Sequence, residues 1–346
     1  MLHPVILSGG SGERLWPASK PSHPKPFLPL VGEETTFGST FRRADALPGA
    51  APVTIVAGHR HEDILSAAID GREALVILEP EPRNTAAAMA ASALVLGGRD
   101  PDAVLLFLPA DHVMPDATAF AAHVASMARQ AACGWIALLG LKPSGPSTAY
   151  GYIQAEPCPD GPRPVTRFVE KPDAARAAAL IAEGWLWNAG VFAVRADVLI
   201  DEMRRHAPGV LAAAAEAVKR HRRSGRTILL DPAFRDAPNV SFDVAVMERT
   251  DRAVVEPASF AWADLGAWDA VLAASDRDPE GNSAAGRVVL EDAANCLVRA
   301  ADGMTVAVVG ARNLAVIVDQ GAVMVCDLQA GHQVRAAINR VSAGER

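Results

Sequence analysis

A chain of 346 residues, half of them hydrophobic, can bury a sizeable core, and its length favours one large domain with a smaller appendage. A formal charge of -7 and an isoelectric point near 5.7 exclude general nucleic-acid binding, which needs a basic face to displace counterions. No uninterrupted apolar run approaches the roughly 18 residues that span a bilayer, and the four cysteines, Cys133, Cys158, Cys296 and Cys326, form no CxxC pair for zinc or redox chemistry.

PVILSGGSGERLW, near the start, reads as a short apolar strand entering a glycine-rich loop, the opening of an α/β unit whose ligands gather at the carboxyl ends of strands. VTIVAG, ALVILEP, AVLLFLPAD and GWIALLG supply further buried strands. Between them NTAAAMAASALVLGG forms a helix that Asn84 or Thr85 can cap, and DATAFAAHVASMARQAA a helix that Asp116 can cap. Strands alternating with helices predict a mostly parallel sheet. Past Tyr150 the alternation loosens. YGYIQAE and TRFVEKP read as antiparallel strands, PDAARAAALIAEG as a helix closed by Gly184, and VFAVRADVLIDEMRRHAP as a strand and a helix stopped by Pro208. From Ser275 onward, RVVLED, NCLVRA, MTVAVVG, LAVIVD and AVMVCD are separated by turn residues and predict a small β-rich region, either a β-helix or a sandwich. The expected domains are residues 1–272 and 273–346.

LSGGSGERLWPASKPSHPKPFLPL joins Gly9, Gly10 and Gly12 to Arg14, Lys20 and Lys25 in one loop. Glycines let main-chain N–H groups approach anionic oxygens, and an arginine grips phosphate bidentately. Neither GxxxxGK[ST] nor GxGxxG occurs there. Pro24 and Pro26 stiffen the backbone around Lys25, which therefore reads as a placed cation, whereas Lys20 reads as a phosphate contact or simply a surface charge. Asp111, in LLFLPADHV, follows a buried strand where a carboxylate can hold Mg²⁺ or close a turn.

GGSGERLWP followed by PKPFL resembles the pyrophosphorylase signature of sugar-1-phosphate nucleotidyltransferases, in the LWP form of bacterial mannose-1-phosphate guanylyltransferases. The similarity runs through nearly the whole chain. It implies a Rossmann-like, GT-A-like α/β fold, a mixed and mainly parallel sheet flanked by helices, with a small C-terminal β-rich domain of left-handed β-helix type. It also implies transfer of GMP from GTP to α-D-mannose 1-phosphate by Mg²⁺-assisted in-line attack on the α-phosphate.

By this resemblance Leu7, Ser8, Gly9, Gly10, Ser11, Gly12 and Glu13 wrap the triphosphate, Arg14 stabilises the transition state, and Lys25 spans the phosphates. Pro109, Ala110 and Asp111 line the nucleotide site, and Asp264 in FAWADLGAWDA, similar to a WxDxGxW element, joins Asp111 on the metal and reaches the sugar phosphate. Arg83, Asn84 and Thr85 of EPEPRNTAAAM stand near the base, where the family has ENTAPA. Tyr150 and Gly151 of TAYGYI, Glu170 and Lys171 of FVEKP, and Asn188 of WNAGVF take the sugar phosphate, with Lys171 countering its charge. Asp243 in SFDVAVMERT contacts the sugar region or braces the site, while Trp262 and Trp268 read as packing groups and His59, His61 and His112 receive no catalytic role. Two departures stand out: Glu13 replaces the family's common threonine, and Pro26 its glutamine. An acidic Glu13 beside a triphosphate is unfavourable unless it points away or meets a metal.

The implied protein is a cytoplasmic homodimer that uses GTP and mannose 1-phosphate, with no nucleic-acid or membrane partner and no isomerase activity. Two rival readings are a relative using glucose 1-phosphate with UTP or dTTP, and a catalytically silent paralogue that binds a nucleotide sugar and regulates a partner.

Overall fold

In the computed structural model, which describes residues 1–10, 12–157, 161–319 and 321–342, the chain opens with β1 (Leu2–Ser8) and passes through α1 (Thr36–Asp45), β2 (Val53–Gly58) and α2 (Glu62–Ile69). There follow β3 (Ala74–Glu79), α3 (Asn84–Gly97), β4 (Val104–Pro109), α4 (Ala117–Ala132), β5 (Ile136–Leu141), β6 (Tyr152–Ala155), β7 (Arg163–Val169), α5 (Ala174–Ala182) and β8 (Leu186–Arg195). The chain continues through α6 (Ala196–His206), α7 (Pro208–Lys219), β9 (Arg222–Ser224), β10 (Thr227–Leu229), β11 (Ala253–Ala258) and α8 (Trp268–Ala274). Last come β12 (Ser283–Ala285), β13 (Arg287–Glu291), β14 (Leu297–Arg299), β15 (Thr305–Val309), β16 (Leu314–Asp319), β17 (Ala322–Asp327) and α9 (Val334–Ser342). Ser11 and Cys158 lie outside the described residues.

These elements pack as two compact units. The first gathers Met1–Gly9, Thr40–Ala110 and Met114–Trp262 around an 11-stranded sheet ordered β5-β11-β7-β6-β8-β4-β1-β2-β3-β10-β9. Its run β4-β1-β2-β3-β10 is parallel, as expected of strands such as VLLFLP that are buried along nearly their whole length. The sheet turns mixed where β8 pairs antiparallel with β4, β5 and β6, and β6 with β7. Helix α3, alanine-rich and buried from Ala86 to Ala93, is apolar on every side, so it lies within the core against α6 and α7. Asp116 caps α4 by accepting from the Ala119 amide at 2.8 Å. Neither expected cap of α3 acts as one. Asn84 takes φ +62° and accepts from the adjacent Thr85 amide, while the Thr85 hydroxyl accepts from the Phe242 amide at 2.8 Å.

The second unit gathers Gly10–Ser39, Asp111–Val113 and Ala263–Arg346. Its strands β12, β14 and β16 pair in parallel, as do β13 and β15, with β17 closing the first sheet antiparallel. Alternation of parallel strands between two sheets is the wiring of a β-helix, where chain coils stack, and differs from the antiparallel wiring of a sandwich. One apolar cluster joins Leu15 and Leu30 of the loop region to Trp268, Ile317 and Val334. The glycine-rich segment clusters with the C-terminal strands because Leu15 and Leu30 bury themselves there. Among the described residues no helix is long and apolar enough to cross a membrane.

Candidate active site

In the second unit the site is built on a buried lysine. Pro24 leads into a single 3-10 turn at Lys25–Phe27, which turns Lys25 inward until it is only 6% exposed. Its ammonium donates to Asp111 Oδ2 at 2.7 Å and to the main-chain oxygen of Asp264. Asp111 and Asp264 are brought together by a two-residue antiparallel bridge, in which Val113 donates to Ala263 at 2.8 Å and Ala263 returns the bond at 3.1 Å. Burial would raise the Asp111 carboxyl, but the Lys25 ammonium and then His112 outweigh it and hold the group below the usual carboxylate range.

Gly12 closes over this lysine. It takes φ +62°, and a Cβ there would stand 2.6 Å from Lys25 Cβ and 2.8 Å from Ser19 Oγ, so only glycine lets the loop backbone ride on the lysine stem. Glu13–Leu15 forms a short 3-10 turn directly after it. Asp264 Oδ1 accepts from the Gly266 amide at 3.1 Å, and the Arg14 guanidinium and the Asp264 carboxylate both approach the same open face of Gly266. Glu13 is not aimed into this cluster; its carboxylate pairs with Arg335 at 2.8 Å.

In the first unit, Leu7 and Ser8 end β1, and Ala110 donates to the Leu7 carbonyl at 3.1 Å, so Leu7, Ser8, Gly9, Pro109 and Ala110 share the carboxyl edge of the parallel strands, where α/β proteins bind ligands. Asn84 and Thr85 follow β3, and Arg83 pairs with Glu81 at 3.4 Å. Glu79, which composition and motif reading passed over, ends β3 almost fully buried with its Oε1 lacking a hydrogen-bond partner. Burial pushes its carboxyl up to about 8.

The same unit holds a second polar constellation. Asn188 donates through Nδ2 to Asp243 Oδ1 at 2.8 Å, accepts from the Gly190 amide at 2.9 Å, and donates its own amide to the Gly151 carbonyl at 2.8 Å. Lys171 pairs with Glu170 and donates its amide to the Tyr150 carbonyl at 3.2 Å, while the Glu170 amide is held by Glu248 Oε1 at 3.0 Å. A Cβ on Gly151 would meet Glu170 Oε2 at 2.7 Å and the Phe168 ring at 2.8 Å. Tyr150 stands edge-on to Trp187 and Trp262, with ring centroids 4.9 and 5.0 Å away. Burial first, and the Glu170 charge second, raise the Asp243 carboxyl to about 7. Among the described residues, Lys171 and Leu265 are the two non-glycine residues at positive φ that are neither Asn nor Asp, at +45° and +47°. Such backbone strain concentrates at functional sites, and these two residues lie in the EKP and WADLGAW motifs.

A model of the nucleotidyl transferase family matches residues 3–281. The chain belongs to the nucleotidyl transferase family. Among relatives of this nucleotidyl transferase, the alginate biosynthesis protein AlgA of Pseudomonas aeruginosa is 37% identical over 99% of this chain and 73% of its own. A mannose-1-phosphate guanylyltransferase of Sinorhizobium fredii is 38% identical over 99% of this chain and 68% of its own. A crystal structure described as mannose-1-phosphate geranyltransferase from Thermus thermophilus superposes with a TM-score of 0.88 at 33% identity, covering 99% of both chains.

Among the described residues of the nucleotidyl transferase no three His, Cys, Asp or Glu side chains gather to hold a metal by themselves. At Lys25 the Asp111 carboxylate meets the main-chain oxygen of Asp264, while the Asp264 carboxylate accepts from the Gly266 amide. Carboxylate and carbonyl oxygens of this kind are the donors that hard divalent cations take. Glu248, Arg335 and the proton-holding tendency of Asp243 were not found by motif reading. The SFDVAVMERT segment signalled the first and third only as a match, and Arg335 stands at the opposite end of the chain from Glu13.

Proposed function

We propose that this chain transfers GMP from GTP to α-D-mannose 1-phosphate, giving GDP-mannose and pyrophosphate. The observation that carries the proposal is the buried Lys25, which ties the Asp111 carboxylate to the main chain of Asp264 beneath a glycine-rich loop. The relatives named as mannose-1-phosphate guanylyltransferases supply the identity of base and sugar.

In this proposal the loop from Leu7 to Arg14 wraps the triphosphate with main-chain N–H groups, Arg14 meets the charge that builds on the α-phosphate, and Lys25 spans the phosphates. Asp111 and Asp264 would hold Mg²⁺, which neutralises triphosphate charge when bound. Arg83, Asn84 and Thr85 sit toward the base. Tyr150 and Gly151 approach the sugar, Glu170 and Asn188 bind its hydroxyls, and Lys171 offsets the acceptor phosphate. A sugar phosphate is already ionised at neutral pH, so the acceptor needs no general base, and catalysis rests on positioning and charge stabilisation. Domains 1–272 for catalysis and 273–346 as a β-rich appendage remain the proposed division of labour. The proposal extends to a cytoplasmic homodimer, for which the exposed Val309, Val323 and Val325 of the second unit offer apolar surface.

The test is pyrophosphate release by the purified protein across several nucleotides and sugar phosphates, with Asp111→Ala and Lys171→Ala as controls. Turnover with GTP and mannose 1-phosphate that both variants abolish supports the proposal, and a different preferred pair replaces its substrates.

A further inference from the structure

The segment that carries Arg14 and Lys25 is gripped by the C-terminal elements of its own unit. At one end Trp268 Nε1 donates to the Trp16 carbonyl at 3.2 Å. Val334 and Ile338 of α9 share an apolar cluster with Leu15 and Trp16. At the other end Arg299 donates to the carbonyls of Pro29, at 3.2 Å, and Leu30. Arg335, in the first turn of α9, adds a charge to this grip by pairing its Nε with Glu13 Oε2 at 2.8 Å.

That pair is solvent-exposed, with side chains 68% and 44% accessible, and exposed pairs contribute little to stability. Its consequence is electrostatic and local. Glu13 is flanked by Gly12, which closes over Lys25, and by Arg14, which faces Asp264. A free carboxylate there would repel any polyanion the loop receives, while one drawn toward α9 and neutralised does not. The unfavourable Glu13 of the sequence thus has a built counter-charge.

We propose that Arg335 is a positioning residue for nucleoside triphosphate: it neutralises Glu13 and draws its carboxylate toward α9, leaving the loop's N–H groups and Arg14 to meet the phosphates unopposed. The inference rests on the reading that this loop binds a nucleoside triphosphate. It makes the C-terminal helix part of the apparatus that sets nucleotide affinity.

Calorimetric binding of Mg-GTP without sugar phosphate tests the inference, and pyrophosphate release by the same preparations tests the transferase reading separately. Arg335→Ala should weaken GTP binding about five- to tenfold at low salt, with the loss shrinking at high salt. Adding Glu13→Gln to Arg335→Ala should bring the affinity back to within about twofold of the unaltered protein, and Arg335→Lys should retain most of it. A residue that merely props α9 would not be rescued by removing a charge at position 13. Unchanged affinity in Arg335→Ala, or a loss that Glu13→Gln does not relieve, overturns the proposal. Binding without pyrophosphate release would sink the transferase reading while the variants still decide the role of Arg335. Failure of the unaltered protein to bind GTP, ATP, UTP, CTP or dTTP overturns both.

Discussion

Replacing Lys25 with methionine keeps the buried stem and removes the ammonium that lies 2.7 Å from Asp111 Oδ2 and also donates to the Asp264 carbonyl. Breaking a fully buried pair by deleting one partner costs about 3–5 kcal/mol. Asp111 is 28% exposed, so solvent reduces that to about 2–3 kcal/mol. At about 2–4 °C per kcal/mol for a domain of this size, the melting transition should fall by about 5–10 °C. The pH dependence should change sign. In the unaltered protein the depressed Asp111 pKa stabilises the fold above the ordinary carboxylate range and the benefit is lost as pH falls. In Lys25→Met burial is no longer offset by the lysine, the carboxyl rises, and stability increases as pH is lowered from neutrality. Activity should drop by about 10²–10³ through loss of a preorganised cation. Adding Asp111→Asn should recover most of the melting temperature and none of the activity. Calorimetry across pH and pyrophosphate release read both effects. A Lys25→Met protein that melts within about 1 °C of the original and retains activity within about threefold would refute the central role given to this lysine.

Asp243, held near neutrality by burial and by Glu170, should ionise as pH rises through about 7 and raise the KM for the anionic sugar phosphate; Asp243→Asn, whose side-chain oxygen still accepts from Asn188, should flatten that alkaline limb, and an unchanged KM profile would contradict this. Glu79 has a folded pKa of about 8 against a reference of 4.5, so between those values the folded state holds the extra proton and stability falls as pH rises. Glu79→Gln should remove that slope and stabilise the protein at pH 8 on the order of 2–4 kcal/mol, read from urea midpoints; parallel pH curves for the two proteins would show that Glu79 does not titrate in this way.

Much of this architecture is written locally. Buried strands announce themselves as apolar runs, the Pro-Lys-Pro setting marks Lys25 as placed, and Asp116 caps α4 from sequence alone. What escaped depends on partners distant in the chain. The Val113 to Ala263 bridge that brings Asp111 to Asp264 is two residues long and leaves no period to detect. Asn84 and Thr85 look like helix caps because their side chains suit that role, yet Thr85 is recruited by the Phe242 amide across the fold. The C-terminal coils carry no strict repeat, because parallel pairing fixes main-chain register while side chains vary. The Arg335 to Glu13 pair joins surface charges that nothing in composition distinguishes from solvated ones. Glu79 hid in an apolar strand end, where a buried acid is visible only once its neighbours are known.

The most direct test of the central claim is pyrophosphate release by the purified protein with Mg²⁺, across GTP, ATP, UTP, CTP and dTTP against mannose 1-phosphate, glucose 1-phosphate and fucose 1-phosphate. GTP with mannose 1-phosphate should dominate, and Asp111→Ala and Lys171→Ala should abolish that turnover. No pyrophosphate release from any pair by folded protein that binds GDP-mannose would contradict the claim and favour a silent, nucleotide-sugar-binding role.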